Sequence, residues 1–185
     1  RLLLARLVTS HARDYKLEQG EINQAHAVLI RWADLESRGR LAKMKETQLQ
    51  GDFLAQVFGE ALGYLRATEN QEAWNLEQHA SFGSETPDAL LGLFTQSQRQ
   101  PKVVVELKGP KCHLDRDRSG GRNAVDQCWD YLANQPNCRW GIVSNMVSFR
   151  LYERDSTKRA YEHFTLQSLR NAEEFRKFYV LFKRS

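Results

Sequence analysis

The chain has 185 residues, 41% hydrophobic and 27% charged, with a formal net charge of +4 and a pI near 9.0. This is globular composition, long enough for one well-cored domain and too short for two comfortable ones. It excludes a membrane-spanning helix, since no apolar run approaches ~20 residues, and it excludes a disulfide framework or zinc finger, since Cys112, Cys128 and Cys138 are odd in number and lack metal-finger spacing.

In chain order, the first sixteen residues give a short helix or a frayed end. Leu17 to Ser37 reads as a helix, with Ile22, Ala25, His26, Leu29, Ile30 and Ala33 recurring at spacings of three and four, and Gly39 stops it. His11 and His26 are expected at the surface or core edge. A second helix is expected from Lys43 to Leu62, burying Leu49, Phe53, Leu54, Val57, Phe58, Ala61 and Leu62, with Gly63 as its end. At roughly 100° per residue, Glu46 projects about 50° from the middle of that stripe, while Glu60 lies nearer 90° away. Strands are expected at Glu72 to Ala80, Asp88 to Phe94 and Lys102 to Leu107. The loop Gly109 to Gly121 follows. Five basic residues from Lys108 to Arg122 (Lys108, Lys111, Arg116, Arg118, Arg122) against Asp115 and Asp117 give this stretch a local net charge of +3; by composition alone it reads as a solvated surface loop, and beside a metal site it would be a mobile loop placed to hold phosphates. Asn123 caps a helix to Asn134. Strands at Arg139 to Ser144, Ser148 to Glu153 and Ala160 to Leu166 precede a closing helix, Asn171 to Phe182.

The stretch Pro87 to Lys108 concentrates the chemistry. In Val103-Val104-Val105-Glu106-Leu107-Lys108 the side chains alternate sides, so Val104, Glu106 and Lys108 share one face. If the Asp88 strand pairs beside it as a hairpin, a second carboxylate joins them. Asp, Glu and Lys converging at a sheet edge make a hard-cation site with a water-orienting group attached.

Pro87-Asp88 and Glu106-Leu107-Lys108, with the two acids 18 positions apart, resemble the PD-(D/E)XK motif of restriction endonucleases and their relatives. Gln127-x-x-x-Tyr131, on one helix face directly after the Glu-x-Lys strand, is similar to a pair found in many of these nucleases. Together with Ala61-Leu62-Gly63-Tyr64 and Gly141-Ile142-Val143-Ser144-Asn145, the order of motifs resembles the N-terminal nuclease region of type IIG restriction-modification enzymes. The resemblance implies an α/β restriction-endonuclease-like fold, a central mixed sheet flanked by helices. It divides the chain into a helical lead-in over 1–40 and a nuclease domain over 41–185. It implies Mg²⁺-dependent hydrolysis of double-stranded DNA in the cytoplasm, with Asp88, Glu106 and the carbonyl of Leu107 as metal ligands. Lys108 would orient the attacking water, Gln127 would fix a water or phosphate oxygen, and Glu46, with Glu60 as runner-up, would supply the acidic helix residue. Phosphate contacts fall to Lys111, Arg116, Arg118 and Arg122, and Gly92 is expected to mark a bend near the site. The sequence lacks Asn-Pro-Pro-Tyr and a glycine-rich cofactor loop, so the fused adenine methyltransferase and target-recognition domain of type IIG enzymes are expected elsewhere in a longer protein. Two alternatives stand beside this one: a non-cleaving nuclease-fold DNA-binding or scaffolding domain, and a repair or phage-defence nuclease without a modification partner.

Overall fold

Alternation of side chains along the apolar stretches produces six strands, and they hydrogen-bond into one mixed sheet in sequence order. In the computed structural model, which describes residues 2–3, 5–16, 18–79 and 86–184, these are β1 (Trp74–Gln78), β2 (Ala89–Phe94), β3 (Arg99–Leu107), β4 (Trp140–Ser144), β5 (Ser148–Glu153) and β6 (Glu162–Thr165). The expected helix start at Leu17 and strand end at Ala80 lie outside the described residues. All neighbouring pairs are antiparallel except β3 and β4. That parallel pair needs a crossover, which α4 (Ala124–Asn134) supplies. The protein is therefore an α/β molecule with an open mixed sheet. Among the described residues no helix is long and apolar enough to cross a membrane.

The two sheet faces are covered unequally. One face packs against α2 (Gln19–Ser37), α3 (Glu46–Phe53), the helical turns Leu54–Ala61 and α5 (Ala172–Phe182), burying Phe53, Phe58, Phe149, Phe175, Phe178 and Phe182. A shorter helix, α1 (Ala5–Asp14), is tied to α5 by Arg176, which donates to the Ala12 carbonyl. The other face packs chiefly against α4, with a smaller core of Leu90, Phe94, Val104, Cys128, Leu132 and Tyr152. Gly141 on β4 permits the close approach of α4. A Cβ there would come 2.6 Å from the Cys128 sulfur and 3.0 Å from Leu132.

Three expectations need correction. The second helix does not begin at Lys43: Leu41–Lys43 form a single 3₁₀ turn, Met44 is extended, and α3 starts at Glu46. Nor is it α-helical to Leu62, because Leu54–Ala61 winds as a π-helix. The apolar pairs 53/54, 57/58 and 61/62 repeat every four residues, longer than the 3.6-residue α period, and all six side chains are buried. Wider winding holds that stripe against the sheet, and the Leu62 N–H accordingly reaches back five residues to Val57. Finally, the β2–β3 register does shift between Leu91 and Gly92, where a Cβ would strike the backbone of Gln100 and Pro101. This irregularity lies four residues along β2 from Asp88, away from the acidic end of the sheet.

Candidate active site

The β2–β3 register brings the two acids together. Ala89 pairs with Val105, so one step further along the antiparallel ladder sets Asp88 opposite Glu106. Both lie on the α4 side, as Leu90 and Val104 do. Asp88 Oδ2 accepts the Leu107 N–H at 2.6 Å, locking the Asp88 side chain across the end of β3. Its own carbonyl accepts the His79 N–H at 3.0 Å. Pro87 is buried, and the Tyr131 hydroxyl donates to the Thr86 carbonyl at 3.3 Å, so α4 steadies the segment that delivers Asp88.

Glu106 is 3% exposed and its Oε1 accepts Lys108 Nζ at 2.5 Å. This ion pair follows from the strand geometry, since the two side chains project on the same side. One ammonium does not offset the surroundings. Burial, then the Asp88 carboxylate and more weakly Glu46, push the Glu106 carboxyl up to about 7 against the lowering effect of Lys108. Burial acts to lower Lys108, but Glu106, Asp88 and Glu46 outweigh it and hold the ammonium above its ordinary value. The four side chains thus form one electrostatic unit.

Glu46 reaches this unit from the opposite layer. It is the first residue of α3, where the helix dipole favours negative charge, and its Oε2 accepts the Gly109 N–H at 2.5 Å. Glycine at 109 leaves it room: a Cβ there would stand 3.3 Å from that oxygen. Glu60 is elsewhere, paired with Arg31 at 3.2 Å on the exposed outer side of the helical layer. Gln127 is buried on α4, and its amide donates to the Ser119 carbonyl at 3.4 Å, tying α4 to the preceding loop. The structure therefore gathers Glu46, Asp88, Glu106 and Lys108, while the Gln127 amide points toward the loop.

The basic loop is strapped down, contrary to the expectation of a mobile one. Arg150 on β5 grips Asp115 with two hydrogen bonds of 2.7 and 2.8 Å. Asn145 donates to the Cys112 carbonyl at 2.9 Å, and Asn123 to the Asp115 carbonyl at 3.0 Å. Arg118 donates to the Gly121 carbonyl and Arg122 pairs with Asp130. Lys111 and Arg116 are exposed. Sequence reading missed Arg150 and Asn145. Their partners lie 35 and 33 residues away, and no local pattern links them.

Among the described residues no three His, Cys, Asp or Glu side chains form a ready metal cage. A small hard cation does not require one, because Mg²⁺ commonly takes one or two carboxylates and keeps several waters. Asp88 Oδ1 and Glu106 Oε2 make no hydrogen bond among the described residues, so each retains an oxygen for a cation. The donor set fits.

In comparisons with known proteins, no family model, no curated protein and no solved structure matches the chain. The site's own geometry carries the functional reading.

Proposed function

We propose that this protein is a Mg²⁺-dependent DNA endonuclease domain of the PD-(D/E)XK class, built on a restriction-endonuclease-like core. The observation that carries the reading is the convergence of Asp88, Glu106 and Lys108 at one end of two paired strands, with Glu106 buried against Lys108. A buried acid raised toward neutrality by neighbouring carboxylates is poorly placed as mere surface charge, and a divalent cation would relieve it.

Asp88 and Glu106 hold the ion in this reading, with the Leu107 carbonyl as third oxygen. Bound Mg²⁺ would lower the pKa of a coordinated water and neutralise charge on the phosphodiester. Lys108 orients the attacking water and offers its ammonium to developing negative charge. Glu46, fixed by Gly109, shapes the outer side of the site through its charge. Gln127 holds the Ser119 carbonyl, setting the loop that carries Arg116 and Arg118, and with Lys111 and Arg122 these are the phosphate-contact candidates. The motif order from Ala61 to Tyr131 favours a type IIG restriction-modification nuclease, whose adenine methyltransferase and target-recognition domains share the polypeptide.

Nicking of supercoiled plasmid tests the proposal. The chain should nick only with Mg²⁺, and Asp88→Ala or Glu106→Ala should cut the rate by about 10³-fold or more, the equivalent of several kcal/mol. Lys108→Ala should reduce rate more than metal affinity. Undiminished nicking by both carboxylate variants would refute the assignment. DNA binding by a wild-type chain that never cuts would favour a nuclease-fold binding domain.

A further inference from the structure

Part of this surface's positive charge is held in ion pairs. Arg31, Arg66, Arg99, Arg122, Arg139, Arg150, Lys158, Arg170 and Lys177 each sit in an ion pair. Lys43, Lys45 and Lys111 are all exposed, and, like several other cations among the described residues, none of them forms an ion pair. They are also gathered. The 3₁₀ turn at Leu41–Lys43 and the extended Met44 form one wall of a cleft of about 420 Å³, and the turn from Gly109 to Cys112, closed by a 2.9 Å backbone hydrogen bond, forms the other. Its lining includes Lys43, Met44, Lys45, Glu46, Gly109 and Lys111.

The position of this cleft gives the three ammoniums a role. Glu46 and Gly109 belong both to its lining and to the acidic site, so the cleft adjoins that site through the Glu46 carboxylate. Glu46, Asp88 and Glu106 face a single ammonium, Lys108, and such a site repels a phosphodiester unless positive charge beside it compensates. Three unpaired lysines at the mouth supply that compensation. Met44, 41% exposed between Lys43 and Lys45, adds an apolar contact of the kind that suits sugar and groove edges.

We infer that the cleft between residues 43–46 and 109–112 is a track for the backbone of duplex DNA, with Lys43, Lys45 and Lys111 each neutralising a phosphate beside the one presented to the acids. The inference rests on the nuclease reading and adds a direction to it. The strand enters over the start of α3, past Lys43 and Lys45, which no motif singled out. The contacts are to phosphates, so the track reads no sequence.

Salt-dependent binding tests it. Affinity for a short fluorescent duplex is measured by anisotropy across a salt series in EDTA, which separates binding from cleavage. The triple variant Lys43→Ala/Lys45→Ala/Lys111→Ala is compared with Lys102→Ala/Arg139→Ala/Lys183→Ala. The control removes the same charge from the groove at the opposite end of β3, roughly 17 Å along the strand. Each lost phosphate contact should reduce the slope of log K against log salt by about 0.9, hence by about 2.7 for the cleft triple, equally for unrelated duplex sequences. The control should change it by less than about 0.5 on the same scale. Thermal melts confirm that both variants fold. An unchanged slope in the cleft triple, equal losses in both triples, or no duplex binding by the wild type would each overturn the track. Plasmid nicking in Mg²⁺ reads the nuclease proposal separately. A wild type that nicks while the cleft triple keeps its slope refutes the track alone. A wild type that never nicks while the triple loses slope refutes the nuclease alone.

Discussion

The two faces of the sheet are built for different purposes. The face under α2, α3 and α5 is thick and aromatic, with Phe149 packed among Phe53, Phe178 and Phe182 at centroid distances of 5.7, 5.0 and 6.3 Å. The face under α4 is thinner and includes buried polar side chains, Glu106 and Gln127, beside its apolar ones. The one buried carboxylate on the aromatic face among the described residues, Glu162 on β6, is answered by the Leu3 N–H at 2.7 Å and lies apart from the acidic cluster. At the end of the α4 face, Glu106 has Lys108, and the carboxylate of Asp88 stands opposite it across the β2–β3 ladder. The thick aromatic core and the Glu106–Lys108 pair thus lie on opposite faces of the sheet. They meet only where the first residue of α3 sends Glu46 round to Gly109.

The sharpest way to break this division is on the thick face. Phe178→Ala should cost about 3–5 kcal/mol in denaturant unfolding while the folded fraction keeps its response to Mg²⁺, because the residue packs in the thick-face core against Phe149, Phe164 and Phe182. On the thin face, Gly141→Ala should cost about 1–3 kcal/mol, since its Cβ must push α4 outward through Cys128, and should also slow cleavage by displacing Gln127 and Tyr131. If Gly141→Ala left both stability and rate unchanged, α4 would not be seated as closely as described.

A third comparison uses the two helix acids. Glu46→Gln should lower the nicking rate about tenfold, equivalent to about 1.4 kcal/mol. Glu60→Gln removes an exposed pair with Arg31 and should change neither rate nor stability beyond about 0.5 kcal/mol. Equal effects from the two would erase the distinction between them. The smallest stability effect expected of a loop strap is that of Asp115→Asn. Hydrogen bonding to Arg150 holds the Asp115 carboxyl below its usual range, so it contributes stability above the unfolded aspartate value and loses it as pH falls through the folded one. Because Asp115 is half exposed, the cost should be about 1 kcal/mol at neutral pH, fading below about pH 4. A penalty that persisted in acid would assign the effect to packing.

How much of this was legible depends on sequence range. The alternation in Val103 to Lys108 contains the Glu106–Lys108 pairing, because a strand places residues two apart side by side. The α4 cap at Asn123 is equally local, with its side chain accepting the Asp126 N–H at 2.8 Å. The π winding was not legible from α periodicity, although the four-residue repeat of apolar pairs is a visible signal in retrospect. The strapping of the basic loop was hidden, since Asp115 and Arg150 sit on segments whose proximity only the sheet determines. Lys43 and Lys45 were overlooked because a helix from Lys43 would have scattered them around its surface, whereas the real chain turns there.

The measurement that tests the central claim most directly is the melting temperature of wild type and Glu106→Gln with and without Mg²⁺. If Asp88 and Glu106 exist to hold a cation, Mg²⁺ at ten times its Kd should stabilise the wild type by about 1.4 kcal/mol, raising Tm by roughly 3–5 °C, and leave Glu106→Gln unmoved. A wild type indifferent to Mg²⁺, or a variant that shifts by the same amount, would contradict the account.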